Sequence, residues 1–476
     1  MAETLYFYDL ETTGVNPRKD RIMQFAGQRT DLDLNPLGDP DNYLIKMSND
    51  VLPNPDAILV TRITPQRTIE EGISEAEFGQ EFSKNIMAPN TTYLGFNSVR
   101  FDDEFMRFFL YRNFYDPYQW QYLDESSRWD LLDTSRMARA LRPEGINWPT
   151  DSKGNPTNRL ELLAKENNLL HESAHDALSD VNATIALAKL LKQKQNRLYD
   201  YLFQIRKKSE IERFLRKEEL FVYSSGKYDS QNQKTSVVYN LGKHPDEQSV
   251  LVYDLRYNPK EFLDLTPKEL ADRWRYDKDS PQSRLPVKSL KFNRCPAVAP
   301  ISVLDRNAQQ RINVDLKQIN SNYMMIQKNN GFLAKLTEAL AILNDQRSTQ
   351  GSIDAEQALY QNFIPNKDRY LSEKVHLAKP EVLGALAVKF NDERLRQILP
   401  HYKARNYPDS LSAKERTDWN SYRRKILMEG NDNSIASRFG KRLIELQNQP
   451  NITPEDKYLL TEIQLYAEDL MSNLQS

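Results

Sequence analysis

Apolar and polar positions along the first 195 residues follow two periods, one typical of strands and one typical of helices. Apolar or aromatic runs predict strands at 5–11, 22–30, 43–47 and 92–97. Apolar residues at helical spacing predict helices at about 99–112, 159–168 and 174–193. This mixture indicates an α/β unit around a mixed sheet, and we expect it to end at residue 195.

The pattern changes after this unit. Residues 196–217 predict a linker and a basic helix, and short strand signals follow at 220–223, 235–239, 249–253 and 287–292. A Thr-Pro-Lys-Glu sequence at 266–269 marks a helix start between those strands. A polar linker at 345–353 separates them from a helical pattern. We therefore expect a β-rich domain with its linker helix at 196–345 and a helical domain at 354–476.

Length and composition limit the class of protein. With 476 residues, the chain is long enough for two to four domains. No apolar run approaches the roughly 18 residues of a membrane span, and the first residues lack the basic segment of a signal peptide. The single cysteine, Cys295, excludes an intrachain disulfide and fits a cytoplasmic protein. No cysteine–histidine cluster suggests zinc.

Charge is distributed unevenly, although the whole chain has a net charge of only −2. Residues 1–195 hold 21 Lys and Arg against 30 Asp and Glu, a net of −9, and the remainder is at +7. Because the basic surplus is modest, we expect a local groove for a polyanion rather than a uniformly basic surface.

Asp9 and Glu11 are the first candidates for a chemical role. They lie in an apolar run that ends at Gly14, and side chains alternate along a strand, so both point to the same face. Two buried acids side by side repel each other and lose solvation unless a cation lies between them. Carboxylate oxygens suit Mg²⁺ or Mn²⁺. The alternative is an edge strand that exposes both acids to water.

Two further acidic segments lie at predicted helix starts. Ser98 is a candidate N-cap before the acidic run 102–104, whose charges would favour the helix dipole even without a metal. The second segment contains Asp180, at the border of an apolar stripe. His175 precedes it, where a loop-like backbone could bring its ring over a metal. The alternative for this residue is a surface or capping histidine.

These segments, taken in order, resemble a known family of nucleases. Asp9-x-Glu11, Asn97-x₃-Phe101-Asp102 and His175-x₄-Asp180 are similar to the three motifs of the DEDDh 3′→5′ exonucleases. The blocks 96–104, 111–118, 128–133 and 140–149 resemble bacterial exonuclease I more specifically, and blocks such as 402–408 extend the similarity toward the C-terminus. The resemblance implies a ribonuclease H-like α/β exonuclease domain, then an SH3-like β-rich domain and a C-terminal all-helical domain.

A site for two-metal phosphodiester hydrolysis follows from this resemblance. Two Mg²⁺ ions about 4 Å apart would activate a water and stabilise the leaving oxygen, and Mn²⁺ is expected to substitute. The implied metal ligands are Asp9, Glu11, Asp102 and Asp180. The resemblance also implies that His175 is the general base. A histidine with a pKa of about 6.5 can accept a proton around neutrality. The motif spacing favours these acids over Asp103 and Asp176, which we expect to be solvated or capping charges.

Contacts to DNA and to a protein partner are implied as well. The residues along the strand path would be Glu11, Arg107, Tyr118, Arg136 and Arg159. Arginines bind phosphates bidentately and tyrosine offers a stacking face, although each arginine could instead be a solvent-facing charge. Arg142 and Tyr201 match a site for the acidic C-terminal tail of single-stranded DNA-binding protein. Further basic positions of that site do not align, because Asp305 and Gln327 or Lys328 stand there.

The leading hypothesis is a monomeric, Mg²⁺-dependent exodeoxyribonuclease that degrades single-stranded DNA processively from its 3′ end. It would release 5′-mononucleotides during DNA repair and recombination, with all three domains closing around the strand. A second hypothesis makes RNA the main substrate, as for oligoribonuclease, but the long region beyond the first domain argues against it. A third is a single-strand-binding adaptor without catalysis, which the presence of all five site residues disfavours.

Overall fold

The computed structural model describes residues 3–169, 176–246, 248–275, 282–347 and 353–475. The strands of the first unit are β1 (Thr4–Thr12), β2 (Ile22–Thr30), β3 (Asp41–Leu44), β4 (Thr91–Gly95) and β5 (Ser127–Asp130). Its helices are α1 (Pro55–Thr61), α2 (Pro65–Glu71), α3 (Glu75–Glu81), α4 (Asp102–Arg112), α5 (Leu131–Leu141), α6 (Leu160–Glu166) and α7 (Ala177–Lys194).

Strand β1 lies at the centre of a mixed sheet with the order β3-β2-β1-β4-β5. It pairs antiparallel with β2 and parallel with β4, so the predicted α/β unit with a mixed sheet is confirmed. The two faces of β1 enter different cores. Leu5 and Phe7 pack in the cluster that contains α7, whereas Tyr6 and Tyr8 pack in a second, aromatic cluster. Alternation along the strand then places position 9 on the α7 side.

Several elements of this unit differ from the predicted pattern. The pattern does not predict the buried edge strand β5, nor the helices α1, α2 and α3, which have seven residues each. The strand expected at 43–47 ends at Leu44. Ser98 is not the N-cap of α4, because that position belongs to Phe101. The carbonyl of Ser98 instead accepts a hydrogen bond from the backbone N–H of Asp103 at 2.9 Å.

The second unit begins with α8 (Asn196–Gln204) and α9 (Lys208–Lys217), so two helices stand where a linker and one helix were expected. An antiparallel sheet follows, in the order β10-β6-β7-β8-β9. Its strands are β6 (Leu220–Ser224), β7 (Thr235–Lys243), β8 (Ser249–Asp254), β9 (Val287–Lys291) and β10 (Ala297–Pro300). Helix α10 (Pro267–Trp274) begins at the expected place, where Thr266 and Glu269 form a capping box. The unit ends with α11 (Arg306–Arg311), α12 (Leu316–Gln327) and α13 (Phe332–Arg347).

The third unit is helical, as predicted. It comprises α14 (Asn366–Leu377), α15 (Leu383–Ala387), α16 (Glu393–Asn406), α17 (Ala413–Met428), α18 (Ile435–Gln447) and α19 (Pro454–Gln475). Two apolar clusters join it to the first unit, one around Ile58 with Leu460 and one around Phe108 with Leu395. The helical unit is thus packed onto the α/β unit. Within the described ranges, no helix is both long and apolar enough to span a membrane.

Candidate active site

Three carboxylates converge beside the central strand. Asp9 and Glu11 project from the end of β1, and Asp180 projects from the first turn of α7. One carboxylate oxygen of each residue lies within 4.8 Å of one carboxylate oxygen of each of the other two. Glu11 is buried, although its neighbours on this face are acids rather than cations. The predicted edge-strand alternative is therefore wrong, since β1 is central and both acids face a helix.

Strand β2 fixes the start of α7 against this face. Asp176 is the N-cap of the helix and accepts a hydrogen bond from the backbone N–H of Ser179 at 3.2 Å. Its other oxygen accepts one at 3.0 Å from the side-chain amide of Gln24, the residue opposite Glu11 in β2. The expectation that Asp176 is a capping charge is confirmed. Gln24 was not among the predicted residues, although a glutamine inside a strongly apolar strand was a usable signal.

Asp102 lies at the other end of the site, as the first residue of α4. Strand β4 pairs with β1 only as far as Phe7, so the N–H of Leu10 has no strand partner on that side. The Asp102 carboxylate accepts this N–H at 3.1 Å and is almost fully buried. It is thereby placed next to the backbone between Asp9 and Glu11.

Asp103 has a structural role, and the expectation that it is a solvated or capping charge is wrong. Its side chain is buried, accepts a hydrogen bond from the Tyr8 hydroxyl at 2.5 Å and forms an ion pair with Arg128. Tyr8 lies on the face of β1 opposite Asp9. The two neighbouring aspartates of α4 thus enter different environments, one beside the acidic group and one with a compensating cation.

Electrostatics of the acidic group follow from burial and from like charge. Burial raises the pKa of Asp9 well above its usual value, and the charges of Asp102 and Asp180 raise it further. Burial, with the charges of Asp9 and Asp180, raises the pKa of Glu11 to about 9. The pKa of Asp102 is also raised, mainly by burial. A divalent cation would favour the ionised form of all these groups, so the donor set fits a hard metal ion such as Mg²⁺.

The predicted general base, His175, lies outside the described residues, which stop at Leu169 and resume at Asp176.

The residues predicted to contact DNA are distributed around the site. Arg107 of α4 is buried, and its guanidinium carbon lies 5.5 Å from the ring centre of Tyr118. It donates hydrogen bonds to Glu104 at 2.7 Å and to Gln121 at 2.9 Å.

The remaining arginines differ in their exposure. Arg136 of α5 pairs with Asp133 at 2.6 Å and lies against Gly226, in the turn that follows β6. The side chain of Arg159, just before α6, is 70% exposed and has Glu161 at 3.4 Å. Arg136 is therefore held at the junction of the first two units. Arg159 retains the freedom to reach a ligand.

The residues predicted for a protein partner lie away from the acidic group. Arg142 follows α5, donates to the carbonyl of Val303 at 3.0 Å and has Asp305 at 3.5 Å. The resemblance implies another basic residue at position 305, but Asp305 occupies it and faces Arg142 directly. Tyr201 lies in α8 and is only partly exposed, with a buried hydroxyl. Lys328 follows the end of α12.

Comparisons with known proteins cover all three units. A family model described as Exonuclease matches residues 6–188, one for the Exonuclease I SH3-like domain matches 206–362, and one for the Exonuclease I C-terminal domain matches 353–470. The exodeoxyribonuclease I of Haemophilus influenzae is 36% identical over 475 residues, which are 98% of this chain and 99% of that protein. The chain belongs to the exonuclease I family.

Solved structures of exonuclease I agree with this assignment. The Escherichia coli exonuclease I in complex with a dA16 oligonucleotide has a TM-score of 0.92 and 36% identity, and the match covers 98% of this chain and 100% of that one. The zinc-bound form of the Escherichia coli complex with single-stranded DNA has a TM-score of 0.92 and 35% identity, with 99% and 100% coverage. The exonuclease I fold, with its exonuclease, SH3-like and C-terminal domains, is therefore confirmed, as is the expected enzyme class of exodeoxyribonuclease.

Proposed function

We propose that the chain is a divalent-metal-dependent exodeoxyribonuclease that degrades single-stranded DNA processively in the 3′→5′ direction. The observation that carries this proposal is the close group of Asp9, Glu11 and Asp180, in which Glu11 is buried and the two aspartates are half-buried. Asp102 is buried beside them and accepts a hydrogen bond from the backbone of β1. The products would be 5′-mononucleotides. Complexes of the Escherichia coli relative with single-stranded DNA support the choice of substrate.

Mg²⁺ is the proposed cofactor, with two ions per site and Mn²⁺ as a substitute. Bound ions of this kind activate water and neutralise charge at the leaving oxygen. Asp9, Glu11, Asp102 and Asp180 would hold them, directly or through water. The raised pKa values of Asp9 and Glu11 support this assignment, because close and poorly solvated carboxylates are unfavourable unless a cation binds between them. The zinc-bound relative supports a divalent site in the same fold.

His175 is the proposed general base. The chain is anchored one residue later, where Asp176 caps α7 and accepts a hydrogen bond from Gln24. A neutral imidazole next to that anchor would take the proton of the attacking water, and its reference pKa of about 6.5 suits this task near neutrality. Replacement of His175 by alanine is expected to lower kcat far more than it raises KM.

The strand would pass from the acidic group toward the SH3-like domain. Glu11 would contact the terminal nucleotide. Arg107 and Tyr118 already lie against each other, which offers one guanidinium for a phosphate beside one ring for a base. Arg136 and Arg159 would bind phosphates farther along. Recognition through backbone charge and stacking would tolerate every sequence.

We also propose that a monomeric, cytoplasmic enzyme acts in DNA repair and binds the acidic tail of single-stranded DNA-binding protein at Arg142 and Tyr201. Because Asp305 faces Arg142, the affinity for the tail is expected to be modest. Titration of an acidic tail peptide against wild type and Arg142→Ala tests this site. We expect about fivefold weaker binding in the variant, which corresponds to one lost contact between Arg142 and a carboxylate of the tail (about 1 kcal/mol). Equal affinities would remove Arg142 from the site.

The first experiment incubates the protein with a 5′-labelled single-stranded DNA oligomer, in Mg²⁺ and in EDTA, beside the same strand in a blunt duplex. We expect a ladder of shortened labelled strands from the free oligomer in Mg²⁺ alone. A matched RNA oligomer separates the DNA enzyme from one that acts mainly on RNA. Tight binding without cleavage in Mg²⁺ and in Mn²⁺ would contradict the proposal in favour of a binding adaptor.

A further inference from the structure

Glu104, the third residue of α4, connects all three domains through one carboxylate. Its Oε1 atom accepts hydrogen bonds from Arg107 at 2.7 Å and from Arg294 at 2.9 Å. Its Oε2 atom accepts one from the Tyr360 hydroxyl at 2.5 Å. Arg107 belongs to the exonuclease domain and Arg294 to the SH3-like domain, whereas Tyr360 lies in the segment that leads into the C-terminal helices. The Glu104 side chain is only 12% exposed, whereas Tyr360 is partly open to solvent.

Arg294 is held firmly on the exonuclease side of this contact. Its Nη1 atom donates to the carbonyl of Val99, three residues before Asp102, at 2.9 Å. The adjacent residues dock on β5, because Arg128 donates to the carbonyl of Asn293 at 2.5 Å and the Cys295 thiol donates to the carbonyl of Arg128 at 3.2 Å. The turn before β10 is thus attached both to the start of α4 and to the neighbouring strand.

Tyr360 is held by the later turns of α4. Its ring meets Phe108 edge-on, with 5.6 Å between the ring centres. The Tyr111 hydroxyl donates to the carbonyl of Ala355 at 3.0 Å, which fixes the same segment. Helix α4 therefore presents Asp102 to the acidic group at its first residue and carries the contacts to the C-terminal segment along its length.

We propose that Glu104 is a positioning residue that couples closure of the SH3-like and C-terminal domains to the orientation of Arg107. The proposal rests on the exonuclease function argued above, in which Arg107 and Tyr118 bind the strand. Glu104 and Gln121 hold the two terminal nitrogens of Arg107. Arg294 and Tyr360 in turn hold Glu104, so this partner of Arg107, unlike Gln121, is held in place by both accessory domains. Loss of that partner would restore side-chain freedom and weaken the productive alignment of the strand.

Three variants test the proposal on the full-length protein. Glu104→Gln keeps the shape and removes the charge, Glu104→Asp restores the charge on a shorter side chain, and Tyr360→Phe removes one hydrogen bond. The substrates are a tetranucleotide and poly(dT), with an unlabelled trap strand to measure the length of each processive run. The matched controls are Tyr458→Phe, at an exposed residue of α19, and Glu71→Gln, whose partner Arg67 is exposed.

We expect Glu104→Gln to raise KM for both substrates by about tenfold, with a smaller fall in kcat. Tyr360→Phe should shorten runs on poly(dT) several-fold and have less effect on the tetranucleotide. Glu104→Asp should recover part of the KM. In an Arg107→Lys background the further change Glu104→Gln should add little, because Glu104 acts through Arg107. The control variants should match wild type.

The outcomes separate this inference from the function on which it rests. If wild type degrades neither substrate, the proposed exonuclease function fails. If wild type is active and both Glu104→Gln and Tyr360→Phe keep its KM and run length, the positioning role is overturned. An equal loss of kcat on both substrates in Glu104→Gln, together with a lower thermal midpoint, would also overturn it in favour of a purely structural role.

Discussion

Two groups of ionisable residues, one at the centre of the exonuclease domain and one at its border with the C-terminal domain, differ in their balance of charge. The acidic group of Asp9, Glu11, Asp102 and Asp180 contains only carboxylates. The second group, which we call the mixed cluster, consists of Arg21, Asp50, Glu356, His401 and Arg405. In the mixed cluster each carboxylate has at least two cationic or imidazole partners.

The mixed cluster joins the exonuclease domain to the C-terminal domain. Arg405 of α16 lies 2.7 Å from Asp50 and 2.6 Å from Glu356, and Arg21 lies 3.0 Å from Glu356. His401 adds a contact of 2.9 Å to Glu356. Arg21 and Asp50 belong to the exonuclease domain, whereas the other members lie beyond residue 353. Balanced charge here connects parts of the chain that are distant in sequence.

Burial acts on both groups, but the pKa values move in opposite directions. In the acidic group burial and repulsion raise the pKa of Glu11 to about 9. In the mixed cluster burial opposes ionisation of Asp50, but Arg405 and Arg21 outweigh it and lower its pKa to about 2. Burial alone therefore does not identify a functional site. Among the described residues, close carboxylates that raise one another's pKa values indicate a ligand of the opposite sign.

The largest expected effect comes from removing one carboxylate of the acidic group. Asp180→Ala should lower kcat in Mg²⁺ by about 10³-fold or more, because the metals lose a ligand and the attacking water loses its activation. Steady-state kinetics with single-stranded DNA measure this loss, and thermal unfolding in EDTA shows whether the variant is still folded.

Asp33→Ala is the matched control, because Asp33 is 83% exposed and its ion-pair partner Lys192 lies on the surface. This variant should keep the wild-type rate. A near wild-type kcat in Asp180→Ala would contradict the assignment of the acidic group as the metal site.

The mixed cluster should respond in stability instead. Glu356→Gln leaves the buried Arg21 and Arg405 with Asp50 as the carboxylate they still share. Loss of one partner from a buried ion pair costs about 3–5 kcal/mol. We expect a clear fall in the urea midpoint. The midpoint is compared rather than a free energy of unfolding, because a three-domain protein need not unfold in one step. Glu381→Gln, an exposed change in the same domain, is the control. Unaltered midpoints in both variants would mean that the mixed cluster does not hold the domains together.

The residues of the acidic group could be proposed from the sequence, because short sequence patterns identify them. Alternation along a strand places Asp9 and Glu11 on one face, and the resemblance to the exonuclease motifs implies Asp102 and Asp180. The mixed cluster was not predicted, because Arg21 and Arg405 lie almost a chain length apart and no local pattern pairs them. Asp103 was misjudged for a similar reason, since its partner Arg128 comes from β5, a strand that the pattern did not reveal.

The short helices show a different kind of miss. Their caps were present in the sequence, with Asn54 before Pro55, Thr64 before Pro65 and Ser74 three residues before Glu77. Seven-residue helices give too few turns for an apolar stripe, so periodicity alone does not detect them. The three-domain order was predictable mainly because family motifs added long-range information that periodicity lacks.

Glu11→Gln should stabilise the metal-free protein, although it removes a proposed metal ligand. The folded pKa of about 9 lies above the unfolded value near 4.5. At neutral pH folded Glu11 therefore takes up a proton that the unfolded chain does not bind, and this disfavours folding by about 3 kcal/mol. In EDTA the variant should unfold at a higher temperature than wild type. In Mg²⁺ the difference should shrink or reverse, since wild type binds the ion more tightly. A lower midpoint in EDTA would contradict the unbalanced charge inferred for this group.

The smallest expected effect is the acid response of the mixed cluster. Asp50 has a folded pKa of about 2, below its unfolded value near 3.8, so its contribution is complete above the unfolded pKa and is lost as the pH falls through the folded one. The difference corresponds to about 2 kcal/mol. Urea midpoints between about pH 6 and pH 2 should therefore fall less steeply for Asp50→Asn than for wild type, although the variant starts lower. Parallel curves would show that Asp50 keeps its charge no better than an exposed aspartate. The contrast between the balanced and the unbalanced group would then rest on geometry alone.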